Sequence, residues 1–214
     1  MSKNLKISLG LIGAAVIAVL AFAVTSGGED DSAEPAATTS DRVVRPDSQK
    51  LSTAEDGKVT FVEFLDFECE ACGAAYPFIE QLRETYDGKV TFVVRNFPLH
   101  NNSMAAAKAA EAAAAQGKFE EMYQMLFETQ AQWGESQDSK EDVFFGYAEE
   151  MGLDMAEFKA VYDDPATEKK IKRDQADGKA LGVEGTPSFF INGEKVDEPS
   201  PETIIAKIDA ELGT

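Results

Sequence analysis

Histidine and cysteine are nearly missing from this chain, and their scarcity removes several kinds of chemistry. One histidine and two cysteines in 214 residues fall short of the four side chains that a zinc site needs. Haem attachment would require a histidine after the second cysteine, and position 73 is glycine. No cysteine lies near the end of the one long apolar run, which excludes a lipid-modified terminus there. Basic residues are also few, 20 Lys and Arg against 39 Asp and Glu, for a formal net charge of -19. A surface so acidic argues against nucleic acid or anionic lipid as a partner, and its plain reading is solubility. No internal repeat is visible. Apolar residues are plentiful: 43% hydrophobic and 28% charged content fits a globular domain with a core of its own.

The first apolar feature is the uncharged run 7–24, ISLGLIGAAVIAVLAFAV. At 1.5 Å per residue a helix of this length spans about 27 Å, close to the hydrocarbon thickness of a bilayer. Lys3 and Lys6 precede it, so residues 1–6 are expected to stay cytoplasmic, 7–25 to anchor, and everything beyond to be exported. A cleaved signal peptide is the rival, with Ala21-Phe22-Ala23 as the cleavage site and a secreted product. Residues 26–40 are Ser, Gly, Ala, Thr and acids without apolar periodicity, the composition of a flexible linker. The folded domain is expected over 41–214.

Residues 59–67, VTFVEFLDF, read as a central strand covered on both faces. A helix is expected over 70–86, kinked at Pro77, and a second buried strand over 89–97 follows the Asp87-Gly88 turn. A strand–helix–strand unit makes those two strands parallel. A helical stretch over 101–182 comes next, with starts at Ser139 and Asp154 and stops at Gly117, Gly152 and Gly182. Asn192-Gly193 marks a hairpin between short strands at 188–191 and 195–197, and 201–212 closes as a helix. The fold class is α/β.

The only cysteines, Cys69 and Cys72, stand as C-x-x-C where a buried strand gives way to a helix. Free amides and the dipole at a helix N-terminus stabilise an anion, so Cys69 is expected to be the nucleophile with a lowered pKa. Cys72, one turn on, is expected to be the more buried resolving thiol, within disulfide reach. A purely structural disulfide is the competing reading, although a bridge closing so short a loop constrains little. Glu63 shares a strand face with Val59, Phe61, Leu65 and Phe67, which aims its carboxyl into an apolar layer. Burial there raises its pKa and lets it exchange a proton with Cys72; at a sheet edge it would instead reach water. Thr186-Pro187 before a strand suits a cis bond, though on the residues alone an ordinary trans turn is favoured. His100 reads as a capping or surface residue, and Trp133 as core or groove wall.

Several segments together resemble the DsbA-like branch of the thioredoxin superfamily over nearly all of 41–214. They are VEFLDFECEAC, Pro77, RNFPL at 95–99, the alanine-rich helix running into QGKFEEMYQMLF, and VEGTPSFFING. The resemblance implies a thioredoxin-like fold with a helical insertion at about 101–182. It implies that Cys69 and Cys72 are a redox pair, that Glu63 is the buried acid beneath it, and that Pro187 is a cis-proline facing it. Thr186 would then meet the substrate chain through its backbone. The expected partners are reduced or misoxidised exported proteins and a membrane redox partner that recycles the pair, with no cofactor, metal or nucleic acid. Glu70-Ala71 stands where the best-known strong oxidants of that branch carry Pro-His, which leaves a reductase or isomerase as an alternative to an oxidase, and a purely structural pair would leave a non-catalytic binding module.

Overall fold

The computed structural model describes residues 38–214. The expected anchor at 7–25, the cleavage site at Ala21-Phe22-Ala23 and most of the linker lie outside them. Among the described residues no helix is long and apolar enough to cross a membrane.

The chain enters through a short helix α1 (Thr39–Val43), where Thr38 and Asp41 cap each other reciprocally. Five strands follow in one mixed sheet: β1 (Gln49–Ser52), β2 (Val59–Leu65), β3 (Val90–Asn96), β4 (Ser188–Ile191) and β5 (Glu194–Lys195). Their spatial order is β1-β3-β2-β4-β5, with β2 and β3 parallel and every other pair antiparallel. β2 therefore sits at the centre, and six of its seven residues are buried, as its β-branched and aromatic sequence requires. The edge strand β1 was not expected; QKLS offers one buried leucine and no alternation to read. The hairpin joins β4 to β5 at Asn192 and Gly193, whose φ of 49° and 86° suit the twist of a two-residue turn.

Helix α2 (Glu70–Thr85) crosses from β2 to β3 and continues through Pro77. The insertion comprises α3 (Ser103–Ala115), α4 (Phe119–Glu128), α5 (Gln130–Trp133), α6 (Glu141–Glu150), α7 (Met155–Asp163) and α8 (Pro165–Ala180). α3 packs against α4, α6, α7 and α8, and six of its alanines are buried; small side chains let helices approach from several sides. α9 (Pro201–Leu212) closes the chain from its Ser200 cap.

The sheet has two unlike faces. One carries Val59, Phe61, Leu65 and the ring of Phe67 into the large core with Cys72, Ile79, Leu82 and the helices of the insertion. The other carries Val62 and Phe64 against Val43, Val93, Phe97, Val183 and Phe190. Alternation along β2 puts Glu63 on the first face and Phe64 on the second.

A candidate dithiol site at the end of the central strand

β2 stops at Leu65, and Cys69 is the N-cap of α2, in extended backbone conformation and without using its side chain as a cap. Cys69 is half-buried and Cys72 1% exposed. The Cys72 thiol donates to the Cys69 sulfur, and this most of all lowers the Cys69 pKa to about 5 against the opposing effect of burial. The Thr186 side chain and the amides of Cys72 and Ala71 lower it further. The thiol of Cys72 moves the other way, well above its ordinary value, because of burial, then its hydrogen bond to Cys69 and the nearby Glu63 charge. The pair is strongly asymmetric.

Thr186 reaches Cys69 from the far end of the sequence. Its peptide bond to Pro187 is cis, and its carbonyl oxygen lies 3.4 Å from the Cys69 sulfur, within reach of the thiol proton. Glu63 is 3% exposed on the face of β2 that meets Cys72, and burial, then the Cys69 and Glu80 charges, push its pKa up to about 8. Its carboxyl is a protonated acid at neutral pH. Cys72 and Thr186 thus meet at the Cys69 sulfur, Pro187 follows Thr186 through the cis bond, and Glu63 lies in the core near Cys72.

Sequence reasoning missed three supports. Gln130, from the insertion, donates to the carbonyl oxygens of Phe67 at 2.7 Å and Cys69 at 3.0 Å, fixing the turn that presents the nucleophile. Its amide occupies the space beside Gly73, where an added Cβ would lie 2.1 Å from Gln130 Oε1; the glycine after C-x-x-C was the available signal. Asp66 is fully buried and accepts from the amides of Glu68 and Leu99 and from His100. His100, expected as a capping or surface residue, is about half exposed and lines a cleft of about 740 Å³ with Cys69, Glu68, Glu70, Leu99 and Glu135. No group of three or more metal-ligating side chains occurs among the described residues.

A C-x-x-C at a strand-to-helix junction, with the carbonyl that precedes a cis-proline at its first sulfur, defines a dithiol site of thioredoxin type. The thioredoxin family model matches residues 52–210, and the chain belongs to that family. A thioredoxin-like oxidoreductase from Silicibacter pomeroyi superposes with a TM-score of 0.67 at 28% identity, over 81% of this chain and 98% of its own. The thiol-disulfide exchange protein alpha-DsbA2 from Wolbachia pipientis does so with a TM-score of 0.67 at 27% identity, over 80% and 90%. Those likenesses extend through the helical insertion, the DsbA-like elaboration of the fold. A protein named Na(+)/H(+) antiporter NhaA from Herminiimonas arsenicoxydans is 35% identical over 153 residues, 72% of this chain. This chain spans about a quarter of the length of that relative, and the likeness is confined to that quarter.

Proposed function

We propose that this chain is an extracytoplasmic thiol–disulfide oxidoreductase that oxidises cysteine pairs in exported proteins. The asymmetry of the pair carries the reading: the accessible sulfur is an anion at neutral pH while its buried neighbour keeps its proton. In the oxidised protein a substrate thiolate attacks the sulfur of Cys69. A substrate–Cys69 bond forms, the Cys69–Cys72 bond breaks, and its electron pair leaves on Cys72. Glu63, protonated up to about pH 8, supplies the proton that Cys72 takes and regains one from solvent. The second substrate cysteine, after losing its proton to solvent, attacks the substrate sulfur and expels Cys69. That thiolate leaves readily because it holds a proton weakly. The substrate gains a disulfide; the protein gains the electrons as thiolate and thiol and returns them to a membrane redox partner.

The Thr186–Pro187 segment is the proposed seat of the extended substrate chain, whose backbone would pair there as an added strand. An open groove of about 330 Å³ lined by Gly185, Thr186, Pro187, Ser188 and Val196 supports this. The apolar run at 7–24 behind Lys3 and Lys6 supports a single-pass anchor with the N-terminus in the cytoplasm, in preference to secretion after cleavage near Ala23. An anchored chain stays with membranes after a carbonate wash, whereas a mature chain beginning near Val24 contradicts the anchor.

An oxidase is favoured over a reductase or isomerase because a stabilised thiolate stabilises the reduced pair, and a pair that prefers to be reduced is an oxidant. Refolding of a reduced, disulfide-forming protein tests this. Cys69→Ala is expected to abolish the activity, and Cys72→Ala to accumulate mixed disulfides. Full activity in Cys69→Ala would instead favour a binding module with a structural cysteine pair.

A further inference from the structure

We infer that His100 is the charge partner of Cys69: an imidazolium, held in place by Asp66, that stabilises the thiolate across the mouth of the cleft and draws substrate thiolates into it. The inference rests on the redox reading of Cys69 and adds a residue to it.

The geometry starts from Asp66. Its side chain is wholly buried, with one carboxylate oxygen taking the Glu68 amide at 2.9 Å and the other the Leu99 amide at 2.8 Å. The second oxygen also lies 2.7 Å from Nδ1 of His100. An acceptor this fully engaged allows only Nδ1–H to face it, so the ring orientation and the proton on Nδ1 are set together. Nε2 is left for the cleft. The His100 amide, bonded to the Ser103 hydroxyl, fixes the backbone that carries the ring.

The charges around the cleft give the ring its task. Asp66 and Glu68 approach from the turn before α2, Glu70 from its first turn, and Glu135 from the segment after α5. Among the described residues lining the cleft, His100 is the only basic one, and all its charged neighbours are acids or the Cys69 thiolate. A substrate thiolate entering this mouth meets Glu70 and Glu135, which oppose it, and His100, which does not. Desolvation works to lower the His100 pKa, but Asp66, Cys69 and Glu68 outweigh it and raise the pKa above the ordinary value. Between about pH 5, where Cys69 ionises, and the raised His100 value, both charges are present.

Reciprocity makes the idea testable without any variant. If the imidazolium stabilises the thiolate, the thiolate stabilises the imidazolium equally. This is the chain's single histidine, so its imidazole signals in NMR of the full chain in detergent micelles are unambiguous. The His100 pKa is expected to be about half a pH unit higher in the reduced protein than in the disulfide form, with Cys69→Ser matching the disulfide form. His100→Gln, which keeps a donor for Asp66, is expected to make the pair about threefold less oxidising in glutathione equilibrium at pH 6 and unchanged at pH 9. Identical His100 titrations in the two redox forms would overturn the inference, as would an effect of His100→Gln of equal size at both pH values. A wild-type protein unable to exchange disulfides would instead overturn the redox reading itself.

Discussion

Glu63 and Arg95 lie almost side by side on the two central strands, yet they are opposite kinds of buried charge. Phe64 pairs with Arg95 across the parallel register and Glu63 with Val94, so the two charged side chains leave the sheet on opposite faces. Arg95 is fully buried and saturated on both terminal nitrogens. Nη1 donates to the carbonyls of Arg42 and Val43, and Nη2 to Asp174 at 2.9 Å and Asp177 at 2.8 Å. Asp177 in turn receives Arg45, and its carboxyl is held below the usual range by Arg45 and Arg95 despite burial. This network ties the entry segment, β3 and α8 together. Among the described residues Glu63 has no ion pair; burial, then the charges of Cys69 and Glu80, raise its pKa. A buried charge whose terminal nitrogens are all paired serves architecture. A buried acid left without a counter-charge holds a proton near neutrality, which is of use only where protons move.

The largest expected effect is on the architectural side. Arg95→Met strands buried Asp174 without its counter-charge, takes one of the cations from Asp177, and is expected to cost about 3–5 kcal/mol in urea unfolding. The redox potential of whatever folds should stay near wild type, since the network lies on the far face of the sheet. A potential that moved with it would break the division between the faces.

Glu63→Gln should do the reverse. In the unfolded chain Glu63 ionises near its ordinary value, whereas in the fold it keeps its proton up to about pH 8. Unfolding therefore releases a proton across that window, and Glu63 costs stability increasingly as pH rises through it. In the oxidised protein Glu63→Gln is expected to be neutral near pH 4 and stabilising by on the order of 3 kcal/mol above pH 8. Disulfide exchange should slow by about tenfold to a hundredfold in the same variant. A variant that lost stability at high pH would show that Glu63 has an unseen partner.

Smaller effects probe the supports. Gly73→Ala pushes the Gln130 amide off the carbonyls of Phe67 and Cys69, at an expected cost of about 1–2 kcal/mol; Gln130→Ala should reproduce it. Glu70→His replaces an acid in the Cys69 cleft by a base and is expected to lower the Cys69 pKa by about half to one pH unit, less at high salt. An unchanged value would place the Glu70 charge away from the sulfur.

The elements that sequence made legible are those whose chemistry is local. The run VTFVEFLDF declares a buried strand and its two faces, so the inward aim of Glu63 could be read from alternation alone. The C-x-x-C likewise announced which thiol would be the anion, because the helix amides that help to stabilise it follow directly in sequence. Asn192-Gly193, Asp154 and the helix-ending Gly152 and Gly182 fell where their backbone preferences put them. Ser139 fell one residue short, since the N-cap of α6 is Lys140, although its hydroxyl still accepts from the Glu141 amide. The rest depends on contacts between distant residues. Gln130 reaches the active-site turn across some sixty positions, and the Arg95 network joins the entry segment to α8 across more than a hundred. His100 and Asp66 meet only because β2 and β3 are parallel neighbours that end on the same edge of the sheet. No spacing rule announces such a pair.

The central claim, a thiolate at Cys69 beside a protonated Cys72, is tested most directly by ultraviolet titration of the reduced protein. Thiolate absorbance equivalent to one cysteine should appear with a midpoint near pH 5, with the second cysteine ionising only well above pH 9. A single transition of both thiols near the free-cysteine value of about 8.5 would contradict the account.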